Sequence, residues 1–192
     1  DKGAKVLSGS PEETITEGLD GLRDRLKEYY KLGARFTKWR AVIKIANNCP
    51  TVQCIKSNSH ALARYAAMVQ ECNMVPIVEP EVLMDGSHDI DKCYNVTQNV
   101  LNDCYEQLAL HKVNLKGTVL KPNMVIHGID CPKSEKAIGI YEECIKPTIM
   151  FGFSLINKIL NANIRLKYST NFVFEEESPI GKFKHLILGS MS

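Results

Sequence analysis

No Cys-x-x-Cys pair and no cysteine–histidine spacing of the zinc-binding kind occurs in this chain of 192 residues, although it holds seven cysteines: Cys49, Cys54, Cys72, Cys93, Cys104, Cys131 and Cys144. An odd number of unclustered thiols argues against a disulfide framework and for a reducing compartment. No run approaches the roughly 20 apolar residues of a membrane span. No basic cluster stands behind the net charge of +2, because Lys and Arg are interspersed with Asp and Glu. Nucleic acid and anionic membrane are therefore not expected as partners. The start, Asp1-Lys2-Gly3, is charged and shows no apolar leader. It also lacks an initiating Met, so the expectation is a chain that begins in mid-protein.

What is present fits an ordinary soluble domain. Apolar residues make up 44% and charged residues 24%, and the length suits one domain with a buried core. Residues 11–33 read as a helix, with Leu19, Leu22, Leu26 and Tyr29/Tyr30 on one face and Gly33 placed to end it. Residues 36–45 then read as a strand closed by Asn47-Asn48-Cys49-Pro50. The alternation repeats: a helix over 57–73, a strand over 74–83, a long helix over 90–112 and a strand over 117–125. Asn95-Val96-Thr97 matches a glycosylation acceptor but falls inside the helical pattern. Alternating strands and helices imply an α/β fold with parallel pairing, and near-continuous apolar strands imply a sheet covered on both faces. Periodicity leaves a doubly wound sheet and a (β/α)8 barrel equally open.

Each of the three strands carries a charged residue near its C-terminal end: Lys38, Glu79 and Lys121, at intervals of 41 and 42 residues. Equivalent positions in successive βα units lie side by side, so the three side chains are expected to converge where α/β barrels keep their active sites. A lone charged strand residue is more often a solvated end or half of an ion pair; three at one register even the odds. A second ammonium beside a lysine, and removal from water, both disfavour a charged amine. An uncharged amine attacks carbonyl carbon, and a neighbouring carboxylate moves the protons of carbinolamine formation and dehydration. His60, His88 and His111 read as surface or capping residues, and Trp39, pointing away from Lys38, as core.

Longer words surround these residues. Phe36-Thr37-Lys38-Trp39-Arg40, Val75-Pro76-Ile77-Val78-Glu79-Pro80-Glu81, Asp85-Gly86-Ser87-His88-Asp89 and Leu120-Lys121-Pro122-Asn123-Met124 resemble class I fructose-bisphosphate aldolase, as do Gly18-Leu19-Asp20-Gly21-Leu22 and Leu62-Ala63-Arg64-Tyr65-Ala66. A transaldolase, another Schiff-base barrel enzyme, fits these words less well. The resemblance implies a (β/α)8 TIM barrel in which Lys38, Glu79 and Lys121 end strands four, five and six. It implies a lyase of glycolysis that cleaves fructose 1,6-bisphosphate reversibly into dihydroxyacetone phosphate and glyceraldehyde 3-phosphate, with phosphorylated sugars as its ligands and neither metal nor cofactor. By that likeness Lys121 forms the imine, Glu79 is the acid/base and Lys38 orients substrate and intermediate. Arg40 assists binding, and Glu81 supports Lys121 and Lys38. The family's tetramers imply a homo-oligomer, and its isozymes a cytoplasmic or plastid location.

The motif words run from residue 1 to about 128. After Met124-Val125 the family usually continues Thr-Pro-Gly, where this chain has Ile126-His127-Gly128. The expected division is therefore 1–128, the central βα units, and 129–192, a divergent tail. In that tail, helices over 137–160 and strands over 166–174 and 183–188 are expected, without the family's phosphate-binding loop. The tail reads as unspliced or frame-shifted message, or as an ending too divergent to align. Two functional readings follow: an aldolase, or a catalytically incomplete aldolase piece that acts only in association with full-length aldolase or other chains.

Overall fold

The computed structural model describes residues 2–132. The tail expected from 129, with the elements assigned to 137–188, lies almost wholly outside the described residues. The chain opens with an antiparallel hairpin, β1 (Ala4–Leu7) and β2 (Ser10–Thr16), turned at Gly9 with φ +87°. The helix expected to begin at residue 11 therefore starts later, as α1 (Leu22–Lys31). The Glu-rich composition of residues 11–17 suggested helix, but Thr14-Ile15-Thr16 is a β-branched run that pairs with Ala4, Lys5 and Val6. Tertiary contacts hold it: Glu13, only 3% exposed, accepts from the Thr51 N–H and hydroxyl, and the Asn58 amide donates to the Thr14 carbonyl. On α1, Leu22 and Leu26 are buried as expected, whereas Tyr29 and Tyr30 are exposed. Tyr30 instead carries the Arg35 guanidinium over its ring at 4.1 Å. Gly33, at φ +102°, follows the helix end.

Three parallel strands then form one sheet in the order β3 (Phe36–Ile43), β4 (Val75–Val82), β5 (Val119–Leu120). The links are α2 (Val52–Glu71) and α3 (Ile90–Leu110). The chain is thus α/β with parallel strands, as the alternation implied. Helix α2 begins at residue 52 rather than 57 because Thr51 caps it, its hydroxyl accepting from the Cys54 N–H at 3.0 Å. Strand β5 is far shorter than the 117–125 expected: a 3-10 turn, Leu115–Gly117, precedes it, and Pro122 follows soon after.

Alternation along the strands sorts their side chains. Trp39, Ala41, Ile43, Val78 and Val82 face the helices and are buried, packing with Leu62, Ala66 and Val69 of α2 and Val100, Cys104 and Leu108 of α3. The core role expected of Trp39 holds, with its ring 5.2 Å from that of Tyr65. The opposite face carries Lys38 and Arg40 on β3 and Glu79 and Glu81 on β4. Beyond β5 the chain retraces the loop between β4 and α3. Gly128 N–H donates to the His88 carbonyl, Ile129 N–H to that of Met84, and Asp130 N–H to that of Gly86, all within 2.9 Å. A Cβ on Gly128 would overlap the Gly86 carbonyl.

Candidate active site

Parallel register brings the charges together, though not quite as their spacing implied. Arg40, not Lys38, lies opposite Glu79; Lys38 lies opposite Ile77, two residues earlier. The equal intervals along the chain thus conceal a two-residue stagger between β3 and β4. On the other side the ladder pairs Val78 with Leu120, and the Lys121 N–H donates to the Val78 carbonyl at 2.9 Å, which sets Lys121 beside Glu79. The long lysine stem absorbs the stagger. Lys121 Nζ donates to Glu79 Oε1 at 2.5 Å, and Lys38 Nζ stands 3.2 Å from Glu79 Oε2.

The carboxylate is the buried member of this trio. Glu79 is 2% exposed, whereas the Lys38 and Lys121 side chains are about half exposed, at 52% and 54%. Burial alone pushes the Glu79 carboxyl up, but hydrogen bonds and charge from Lys121 and Lys38 outweigh it and hold the group below the usual glutamate value. The site is therefore an anion clasped by two cations that both reach water. Beside it, Arg40 Nε donates to Glu81 Oε2 in an ion pair. Glu81, expected to support Lys121 and Lys38, takes Arg40 as its partner; the carboxylate that holds both lysines is Glu79.

The histidines divide. His111 is the C-terminal cap of α3, its Nδ1 2.9 Å from the Gln107 carbonyl oxygen, and it meets His60 edge-on at 4.9 Å between ring centroids. His88 departs from the surface role expected of it: both ring nitrogens are shielded from solvent, and burial lowers its pKa. Among the described residues, no three His, Cys, Asp or Glu side chains cluster to hold a metal ion, and no helix is long and apolar enough to cross a membrane. One neighbour of the site went unnoticed in the sequence. Asn123, two residues past Lys121, accepts from the Val82 N–H at 3.2 Å and donates to Thr97 Oγ1 at 3.0 Å.

The family model described as fructose-bisphosphate aldolase class-I, glycolytic, matches residues 1–149. The chain belongs to the class I fructose-bisphosphate aldolases. The match to this aldolase family runs some twenty residues beyond position 128, where the legible motif words end. A probable fructose-bisphosphate aldolase class 1 from Xanthomonas axonopodis pv. citri is 55% identical over 152 residues, 78% of this chain and 46% of that protein. The cytosolic fructose-bisphosphate aldolase 4 of Arabidopsis thaliana is 59% identical over 146 residues, 76% of this chain and 37% of its own length. Among solved structures, the aldolase of Plasmodium falciparum, crystallised with TRAP and a small-molecule inhibitor, matches with a TM-score of 0.74 at 44% identity, covering 77% of this chain and 43% of that one. This aldolase chain thus spans less than half the length of these relatives.

Proposed function

We propose that the chain carries the Schiff-base centre of a fructose-bisphosphate aldolase, acting on fructose 1,6-bisphosphate or on dihydroxyacetone phosphate with glyceraldehyde 3-phosphate. The observation that carries this reading is the buried Glu79 carboxylate held between Lys121 and Lys38. In it, β3, β4 and β5 correspond to strands four, five and six of a (β/α)8 barrel, and the charged face is the barrel interior.

Each residue has a task. Lys121 gives an ammonium proton to Glu79 Oε1, and the amine so freed adds to the substrate ketone carbon; Glu79 passes that proton to the carbonyl oxygen, which becomes the carbinolamine hydroxyl. Glu79 Oε1, 2.5 Å from Nζ, accepts the proton that nitrogen sheds and returns one to that hydroxyl, which leaves as water. The resulting iminium draws the electron pair of the C3–C4 bond when that bond breaks, and the aldehyde departs. Lys38 keeps a positive charge beside the carboxylate and orients the substrate oxygens. Arg40, fixed by Glu81, extends that positive edge towards anionic sugar phosphates. The proposed location is the cytoplasm, in keeping with the cytosolic names of plant relatives, with a plastid the alternative.

The test is borohydride reduction in the presence of dihydroxyacetone phosphate, followed by intact mass and peptide mapping. One adduct on Lys121, lost in Lys121→Ala, is the expected result. No adduct on soluble, folded protein would sink the reading. A second reading rests on coverage: a chain that spans under half the length of its relatives works only when associated with further aldolase chains. Under it, trapping appears only after mixing with a full-length aldolase whose own imine lysine has been removed.

A further inference from the structure

The backbone ladder between β4 and β5 stops where the proposed chemistry begins. In a parallel ladder a residue gives its N–H to one neighbour and its carbonyl to the N–H two residues further on. Lys121 completes the first half of this pattern, N–H to the Val78 carbonyl at 2.9 Å. The second half needs the N–H of residue 80, and residue 80 is proline. The rung after that joins the N–H of Val82 to residue 123. It is made, but by a side chain: Asn123 Oδ1 accepts from the Val82 N–H at 3.2 Å.

The same amide does more. Its Nδ2 donates to Thr97 Oγ1 at 3.0 Å, on the buried face of α3, and to the Met124 carbonyl at 3.0 Å. One side chain therefore ties the segment leaving Lys121 to the end of β4 and to α3, across the gap left by Pro80. We infer that Asn123 is a positioning residue: it holds the register in which Lys121 Nζ meets Glu79 Oε1, making good the one main-chain bond that Pro80 cannot give. Neither Ala nor Ser reaches all three partners; Asp keeps the acceptor for Val82 but cannot donate to Thr97 and Met124.

The inference rests on the Schiff-base reading for its importance, but its geometry is tested without substrate. The amine of each lysine is acylated competitively with acetic anhydride at one fixed pH in wild type, Asn123→Ala, Asn123→Asp and Thr51→Ala, and the extent at every site is read by peptide mapping. Lys121 in Asn123→Ala is expected to be acylated more, relative to the other lysines, than in wild type, because its bond to Glu79 Oε1 is loosened, with Asn123→Asp between the two. Thr51→Ala, a capping loss remote from Lys121, is expected to leave that extent unchanged. Trapping with dihydroxyacetone phosphate should slow about tenfold in Asn123→Ala, with the half-saturating concentration changed less than about twofold. A Lys121 extent unaltered in Asn123→Ala, or one raised as far by Thr51→Ala, would overturn the inference. Wild type that labels as expected but forms no imine would strike the Schiff-base reading alone.

Discussion

A carboxylate that is 2% exposed and flanked by two ammonium groups has its protonation decided by them, and for Glu79 they win over burial. Its folded pKa lies below the unfolded value of roughly 4.3. The stabilisation is thus complete above that pH and is lost as pH falls through the depressed folded value. Glu79→Gln should cost about 1–2 kcal/mol at pH 7, discounted because both lysines are half in water. The gap between variant and wild type should close below about pH 4, read by urea unfolding at several pH values. A gap that stays constant to pH 3 would contradict the assignment. All three members of this trio are visible in the sequence as charges at apolar strand ends, whereas Arg40 and Glu81 enter only through the family resemblance. Asn123 was not visible in this way, because its importance arises from a hydrogen bond that a proline on a different strand cannot make. The partner of Glu81 was likewise hidden: the register sets Arg40 opposite Glu79, and only the side-chain geometry shows its guanidinium reaching diagonally to Glu81.

At the scale of elements, helix starts were the least legible feature. The apolar periodicity of α2 becomes clear only around residue 57, so Thr51 went unrecognised as its cap. Thr51 does two jobs, accepting from the Cys54 N–H and donating to the buried Glu13 carboxylate. Asp89, the cap of α3, accepts from the Lys92 N–H in an exposed setting. Thr51→Ala should therefore cost about 2 kcal/mol against about 1 for Asp89→Ala, measured by chemical denaturation. The reverse order would mean that Glu13 is satisfied without its threonine. Core truncation should exceed both: Leu62, fully buried between α2 and the sheet, should lose about 3 kcal/mol as Leu62→Ala. The strand β2 escaped notice for the opposite reason. Its glutamates and threonines resemble a polar helix, and only pairing with β1 and the grip on Glu13 make it a strand.

For the whole molecule, the repeating strand–helix order was readable and so was parallel pairing, because strands that alternate with helices are joined by crossovers. Which closed or open architecture they build was not, since periodicity is the same in each. The expected apolar cover on both faces is not found among the described residues, since the second face of β3 and β4 carries Lys38, Arg40, Glu79 and Glu81. The sheet presents β5, only two residues long, as one edge, with no further strand against it among the described residues. Phe36 at the start of β3 is 66% exposed. Unpaired edges and uncovered apolar side chains favour association. Light scattering after size exclusion at micromolar concentration should accordingly find species heavier than one chain. A sharp monomer peak would show that the chain covers its own edges.

Gly128 lets the segment after β5 lie against the β4–α3 loop. Where the family resemblance expects Thr-Pro-Gly, this chain has Ile126-His127-Gly128 and keeps the glycine. Three main-chain hydrogen bonds join the two loops, with Gly86 on the facing side. What is inherited at that spot is a space rather than a set of letters. Ile126 answers to the core it packs against and His127 to Cys131, but at 128 the demand is for room alone: one added methyl group would part the loops.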